Sequence, residues 1–143
     1  WIKRNLNITK NHMLLIMKNN YINTVSQIIK ENFKYDKESI PIYCFYHQKK
    51  CIYIYENKWI KAYDKDIKML FDEINVQLLR HNIEYEKTLD SKKLYSRSHL
   101  EGNERLFLVN TNKRENVINK IKKELVSLFK IDLNELNKYK FYI

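Results

Sequence analysis

Residues 41–62 read PIYCFYHQKKCIYIYENKWIKA and decide the predicted fold. Two β-branched and aromatic runs, 42–46 and 51–55, are separated by the polar residues 47–50. A third, shorter run at 58–62 follows Glu56-Asn57, a pair that suits a tight turn. Apolar runs separated by polar breaks are typical of antiparallel strands joined by turns. The stretch therefore predicts a three-stranded antiparallel meander.

The length of the polar break predicts a register for the first hairpin. Closing the chain through residues 47–50 pairs Tyr46 with Cys51 and Cys44 with Tyr53. Because successive strand residues point to opposite faces, one face should then be mainly apolar. We expect that face to hold Phe45, Ile52, Ile54 and Trp59. The opposite face should hold Cys44, Tyr46, Cys51, Tyr53, Tyr55 and Ile60.

Amphipathic helices should flank this meander, because apolar residues recur there at steps of three and four. A first helix is predicted from about 20 to 33, a second after Asp64 or Asp66, and a third through about 129. The run at 105–109 predicts a fourth strand, residues 84–104 predict a loop with a turn at Gly102-Asn103, and Asp132 should cap a short last helix. The expected fold class is α+β: a three-stranded antiparallel meander plus a fourth strand, packed against amphipathic helices. We expect one domain over residues 1–143 and, since the chain opens with Trp1, a fragment of a longer protein.

The charge of the chain favours an anionic partner, but codon usage explains part of it. Lys and Arg number 27 against 17 Asp and Glu, which gives a net charge of +10. However, 22 of the basic residues are Lys, and the chain also has 17 Asn, 18 Ile and 11 Tyr, all residues with A/T-rich codons. Arg, the usual choice for bidentate contact with phosphate or guanine, is scarce. Residues 1–60 carry 10 basic and 4 acidic groups, so an anionic partner should contact this part of the chain.

The hairpin is the candidate nucleic-acid site. Cations at its turns beside tyrosines on one face could contact phosphates and stack on bases. The candidate residues are Lys49, Lys50, Lys58, Tyr46, Tyr53 and Tyr55. The alternative is that helices cover this face and that Tyr is abundant only because of codon bias.

Catalytic and metal chemistry find little support. Cys44, His47 and Cys51 are the only clustered soft ligands, and a zinc site needs a fourth. The predicted register sets the two Cys too far apart for easy disulfide bonding, and free thiols suit a reducing compartment. A single Gly excludes glycine-rich phosphate loops and the nucleophile elbow. We therefore expect no cofactor, no metal and no catalytic residues. No apolar run is long enough to span a membrane.

The hairpin also resembles a segment of KilA-N-type proteins of large nucleocytoplasmic DNA viruses, over about residues 40–82. The matching features are Pro41-Ile42, Cys44, the basic pair Lys49-Lys50, Tyr53-Ile54, Trp59 and the helix from Asp64. The chain departs from that pattern after the Cys, where Phe45 and Tyr46 replace Thr-Asp. The resemblance implies a viral protein that acts on DNA or on partner proteins, and it supplies no catalytic residues.

Together these features predict a non-enzymatic accessory module, viral in origin, that binds nucleic acid through a basic aromatic hairpin. One alternative is a protein-interaction or self-association module with a protein partner or a second copy of the chain. Another is a degenerate nuclease-like enzyme. The expected location is intracellular and reducing, the host cytoplasm or nucleus for a viral protein.

Overall fold

The computed structural model describes residues 6–33, 42–45, 48–55, 59–62, 64–108 and 111–131. The helices are α1 (Lys10–Lys18), α2 (Tyr21–Phe33), α3 (Asp64–Glu86), α4 (Ser91–Leu94), α5 (Arg97–Phe107) and α6 (Thr111–Phe129). The strands are β1 (Ile42–Phe45), β2 (Gln48–Tyr55), β3 (Trp59–Ala62) and β4 (Lys130–Ile131). The predicted helix after Asp132 lies outside the described residues.

The predicted fold class is wrong, because helices rather than a sheet organise the molecule. Most described residues are helical, and the principal packing contacts join α2 to α6, and α1 to α5, α3 and α2. The strands form a small sheet in the order β3-β2-β1-β4, beside α6 and the start of α3. Its fourth strand is the two-residue β4, which runs parallel to β1 directly after α6. The α+β sheet packed against helices is therefore replaced by a helical assembly with a small sheet at one side.

The core is made where the helices pack together. From α2, Val25, Ile28, Ile29 and Phe33 are fully buried, as the helical periodicity of this segment predicts. They meet the buried stripe of α6, where the rings of Phe33 and Phe129 lie edge to face with centroids 5.9 Å apart. Burial of one such side chain stabilises the folded chain by about 1.5–3 kcal/mol. The core consists of Leu6, Ile8, Met13, Ile16, Met17, Tyr21, Val25, Ile28, Ile29, Phe33, Ile52, Ile67, Leu70, Phe71, Ile74, Leu78, Leu106, Leu108, Val117, Ile121, Leu125 and Phe129.

Residues 84–108 depart most from the predicted loop and strand. Helix α3 continues to Glu86, and two further helices follow, each with a side-chain cap at its start. Asp90 accepts a hydrogen bond from the Lys93 amide (2.9 Å) before α4, and Ser96 accepts one from the His99 amide (3.3 Å) before α5. The predicted turn at Gly102 lies inside α5, where this residue is buried.

Within the predicted fourth strand at 105–109, residues 105–107 form the end of the same helix. Leu106 is buried, and Arg105 donates from its guanidinium to the Met17 carbonyl oxygen at the end of α1, with an Nε–O distance of 2.7 Å and a second, shorter contact. That carbonyl is one of the last four of α1, which have no partner inside the helix. Leu108 then ends α5 in the left-handed region, with φ 47°. Packing against α1 therefore decides the conformation of an apolar run whose pattern alone favours a strand.

Candidate nucleic-acid interface

The register of the sheet gathers aromatic and basic positions on one face. Tyr53 of β2 lies directly between Tyr43 of β1 and Lys61 of β3, and Tyr55 lies opposite Trp59. Residues directly opposite each other in adjacent strands share a face, and so do residues two apart in one strand. We call the resulting row the aromatic face, defined by the positions Tyr43, Tyr53, Tyr55, Trp59 and Lys61.

The neighbouring residue in β2 shows which side of the sheet packs against the helices. Ile52 is only 2 % exposed and belongs to the core, with Cys44 and Ala62 opposite it. Because side chains alternate along a strand, Tyr53 belongs to the other side. Tyr53 is half-buried and Lys61 is exposed, as expected for the side of the sheet away from the core.

The observed register corrects the predicted pairing. Cys44 lies opposite Ile52 rather than Tyr53, because the pairing shifts between Cys44 and Phe45, and Phe45 pairs with Gln48. A slip of one residue exchanges the faces of a strand. The separate pairing of β3 with β2 also differs by one residue from the prediction. Trp59, expected beside Ile54, lies opposite Tyr55, and Ile60 lies opposite Ile54.

The predicted site residues fall into three groups. Tyr53 and Tyr55 share the aromatic face, two residues apart on β2. Lys49 and Lys50, expected in a turn, are part of β2 and lie where its pairing with β1 shifts register. Tyr46 and Lys58 lie outside the described residues. The sequence interpretation missed Tyr43, Trp59 and Lys61, and only the correct register would have found them.

A histidine–carboxylate pair, His12 and Glu31, joins α1 to α2, and His12 also belongs to the cap of α1. The Thr9 amide donates to His12 Nδ1 (3.0 Å), so Nδ1 acts as an acceptor in this contact. Nε2 therefore carries the proton and donates to Glu31 Oε2 (2.6 Å). The Thr9 hydroxyl in turn accepts from the His12 amide (3.4 Å), which completes a capping box at the start of α1. Both ring nitrogens are occupied, so this histidine has none free to accept a proton as a general base.

The surroundings of Glu31 keep its carboxylate charged. A hydrogen bond from the Gln27 side-chain amide (2.8 Å) lowers the pKa of Glu31, and the hydrogen bond from His12 lowers it further. Partial desolvation raises the pKa, but the net shift is downward. The carboxylate thus serves as a stable acceptor between α1 and α2.

The nuclease-like alternative gains no support from the acidic residues near α3. Glu73 accepts from Gln77 (3.2 Å) and Asp72 is exposed. Within the described ranges, no three His, Cys, Asp or Glu side chains come together as ligands for a metal ion. Among the helices that the structure describes, none is both long and apolar enough to cross a bilayer.

Comparison with protein-family models, with curated proteins and with solved structures finds no match. The resemblance to KilA-N-type proteins therefore stays a prediction.

Proposed function

We propose that this chain is a non-enzymatic module that binds single-stranded nucleic acid through the aromatic face. The observation that carries the proposal is the row Tyr43–Tyr53–Lys61, in which three adjacent strands align two aromatic residues and a cation. The core lies on the other side of the sheet, where Ile52 is buried. Aromatic residues on a sheet surface are a recurrent platform for unpaired bases.

The chemistry of this row suits a single strand better than a duplex. Each base offers a flat face for stacking on Tyr or Trp, and such an interaction contributes about 1–3 kcal/mol per base. Lys61 supplies a cation beside the stack, where it can contact the phosphate backbone. Lysine–phosphate interactions carry no sequence information, so binding should be tolerant of sequence and strongly dependent on salt.

The module is expected to act on nucleic acid inside a cell. The resemblance of the hairpin to KilA-N-type viral proteins supports an accessory role on viral or host nucleic acid. Two cysteines on adjacent strands, with Cys44 opposite Ile52 rather than Cys51, support a reducing intracellular compartment.

The test is a titration of labelled single-stranded DNA, single-stranded RNA and duplex DNA, each of about 12 nucleotides or base pairs, at two salt concentrations. Tyr53→Ala should weaken single-strand binding by about 1–3 kcal/mol, whereas Tyr53→Phe should retain most of it. Lys61→Glu should reduce the salt slope by roughly 1. The double variant Lys49→Glu/Lys50→Glu should reduce it by roughly 1 for each phosphate that these two lysines neutralise in wild type.

The matched control is Lys92→Glu, which makes the same charge change at an exposed site on α4. If Lys61→Glu and Lys92→Glu give the same curves, or if Tyr53→Ala binds as wild type does, the aromatic face is not the site. The basic charge is then a by-product of codon usage.

A second candidate function, self-association, is favoured by one observation on α3. Met69, Val76 and Ile83 are 65 %, 40 % and 58 % exposed, and they follow one another at seven-residue intervals. This spacing places them in one line along the helix, on the side opposite the buried stripe that includes Ile74 and Leu78. A line of exposed apolar residues at heptad spacing is typical of a helix that packs against another helix.

The charges beside this line favour an antiparallel second copy of α3 as the occupant. Arg80 lies four residues after Val76, and Asp72 and Glu73 lie four and three before it. A two-fold axis at Val76 therefore brings Arg80 of each copy to the level of Asp72 and Glu73 of the other, where opposite charges attract.

Sedimentation at increasing protein concentration tests this second candidate. Val76→Glu, which sets two like charges together on the axis, should abolish a dimer, and Arg80→Glu should weaken it, while Lys92→Glu should leave it intact. A wild-type chain that stays monomeric over the accessible concentration range would exclude self-association through α3.

A further inference from the structure

A groove between α1, the end of α3 and the α4–α5 segment is a candidate site unrelated to the aromatic face. Its volume is about 680 Å³. The groove is lined by Asn11, Leu14, Leu15, Met17, Lys18, Tyr85, Leu89, Lys93, Ser96, Ser98, His99 and Arg105. Among these described residues are three cations and no Asp or Glu, although the chain has 17 acidic residues.

Polar groups at one side of the groove suit a phosphate. Ser96 caps α5 and Ser98 stands in its first turn, so the positive end of an eleven-residue helix adjoins the groove. Lys93 projects from α4 just before this helix, and Lys18 ends α1. Arg105 is held in place by its hydrogen bonds to the Met17 carbonyl oxygen, and three of its five N–H donors are not used in them.

His99 and Tyr85 form one wall of the groove beside the start of α5. Its side chain is only 6 % exposed, and it lines the groove beside Tyr85, with ring centroids 6.1 Å apart. Nε2 of His99 makes no hydrogen bond, and it lies 3.5 Å from Glu86 Oε1, longer than a good hydrogen bond. Nε2 itself has almost no accessible surface, so this atom faces Glu86 rather than the groove, and only the rest of the ring forms part of the groove wall.

The remaining lining is apolar and would take the body of a ligand. Leu14 and Leu15 of α1 and Leu89 are partly buried, and the Tyr85 ring carries the Lys10 ammonium 5.1 Å from its centroid. Ligand sites typically combine such an apolar lining with a few placed polar groups.

We propose that this groove binds a phosphate monoester carried on an apolar or aromatic body. Lys93, Lys18 and the start of α5 hold the phosphate, and Leu14, Leu15 and Tyr85 contact the body. A nucleotide and a lipid headgroup share this chemistry, so the experiment has to separate them.

Calorimetric titration of the folded chain distinguishes a nucleotide from a lipid headgroup. The four probes are adenosine 5′-monophosphate, adenosine, dihexanoyl phosphatidic acid and inorganic phosphate. At least one of the two monoesters should bind about tenfold or more tightly than inorganic phosphate, and adenosine should not bind measurably. Tighter binding of the nucleotide assigns a nucleotide site, and tighter binding of phosphatidic acid assigns a lipid headgroup site. Amide resonances of Ser96, Ser98 and His99 should shift on titration.

Two adjacent lysines provide the variant and its control. Both Lys92 and Lys93 are exposed on α4, but only Lys93 lines the groove. Lys93→Glu should weaken the tighter monoester about tenfold or more, and Lys92→Glu should not. Lys61→Glu, on the aromatic face, should also leave this binding unchanged, so failure of the nucleic-acid proposal and failure of this one are distinguishable. Equal weakening in Lys92→Glu and Lys93→Glu, or monoesters that bind no better than inorganic phosphate, would overturn the assignment.

Discussion

Gly102 of α5 lies directly against Met17 of α1. A Cβ atom built at Gly102 would stand 3.0 Å from both Cβ and Cε of Met17. The single glycine of the chain therefore sets how closely these two helices approach. The same approach brings Arg105 to the Met17 carbonyl oxygen and places α5 beside the groove.

Gly102→Ala should destabilise the chain although alanine is the better helix former. The gain in helix propensity is about 1 kcal/mol, whereas overpacking against the Met17 Cβ, which cannot rotate away, costs about 1–3 kcal/mol. Thermal unfolding should show a lower midpoint for Gly102→Ala. Glu104→Ala, at an exposed position of the same helix, is the control and should leave the midpoint close to that of wild type. A Gly102→Ala protein that is more stable than wild type would show that α1 and α5 pack less closely than described.

Arg105→Ala should cost about 1–3 kcal/mol, because it leaves the Met17 carbonyl oxygen without its donor. Arg97→Ala is the comparison on the same helix. It removes an exposed ion pair with Glu101 (Nε–Oε1 3.0 Å), and such pairs contribute about 0–1 kcal/mol. Urea unfolding of the two variants should therefore separate them, with Arg105→Ala the less stable. Equal stability of the two would remove the role assigned to the hydrogen bonds of Arg105.

Glu124 should make the stability of the chain sensitive to acid. Burial by itself raises the pKa of this carboxyl. The opposing effects are stronger and hold the pKa below its ordinary value: hydrogen bonds from the Ser26 hydroxyl (2.8 Å) and from Lys120, and the nearby charges of Lys30 and Lys120. A carboxyl whose folded pKa is depressed stabilises the fold above its unfolded pKa, and this stability is lost as the pH falls through the folded value.

Glu124→Gln should consequently be less stable than wild type near neutral pH, and the difference should shrink as the pH falls below the ordinary glutamate range. Ser26→Ala should move the acid transition of wild type to higher pH, because it removes the first of the stabilising hydrogen bonds. Urea unfolding measured from neutral to acidic pH checks both. A Glu124→Gln difference that does not change with pH would contradict the assignment.

Both cysteines should be free thiols. The register sets Cys44 opposite Ile52, and Cys51 precedes Ile52 in β2, so alternation assigns the two cysteines to opposite faces. Denaturation without reductant should expose two groups that react with a thiol reagent. A mass lower by two hydrogens, with no reactive thiol, would reveal a disulfide and a different pairing of β1 with β2.

Some helices of this chain were predictable because their apolar residues recur at the period of a helix. In α2 the stripe that contains Val25, Ile28 and Ile29 needs no knowledge of its partner, since only one face of the helix is apolar. The helices at 91–107 were not predicted from apolar periodicity. Their signals were the caps Asp90 and Ser96, which are local, but a glycine inside the helix and polar neighbours concealed them. The end of α5 carries an apolar run that suits a strand equally well, and only its packing against α1 decides for a helix.

The sequence by itself determined the amphipathic helices α2, α3 and α6, the aromatic and basic composition of 41–62 and the excess of positive charge, because each depends on residue type and local period. Tertiary structure decided the rest. The register of β1 against β2, which shifts between Cys44 and Phe45, aligns Tyr53 with Tyr43, and the separate register of β3 against β2 aligns Tyr53 with Lys61. The groove brings Lys18 of α1 together with Lys93, residues that lie far apart in the chain. Its shape depends on the close approach of α5 to α1 that Gly102 allows, and no local pattern specifies which helices meet.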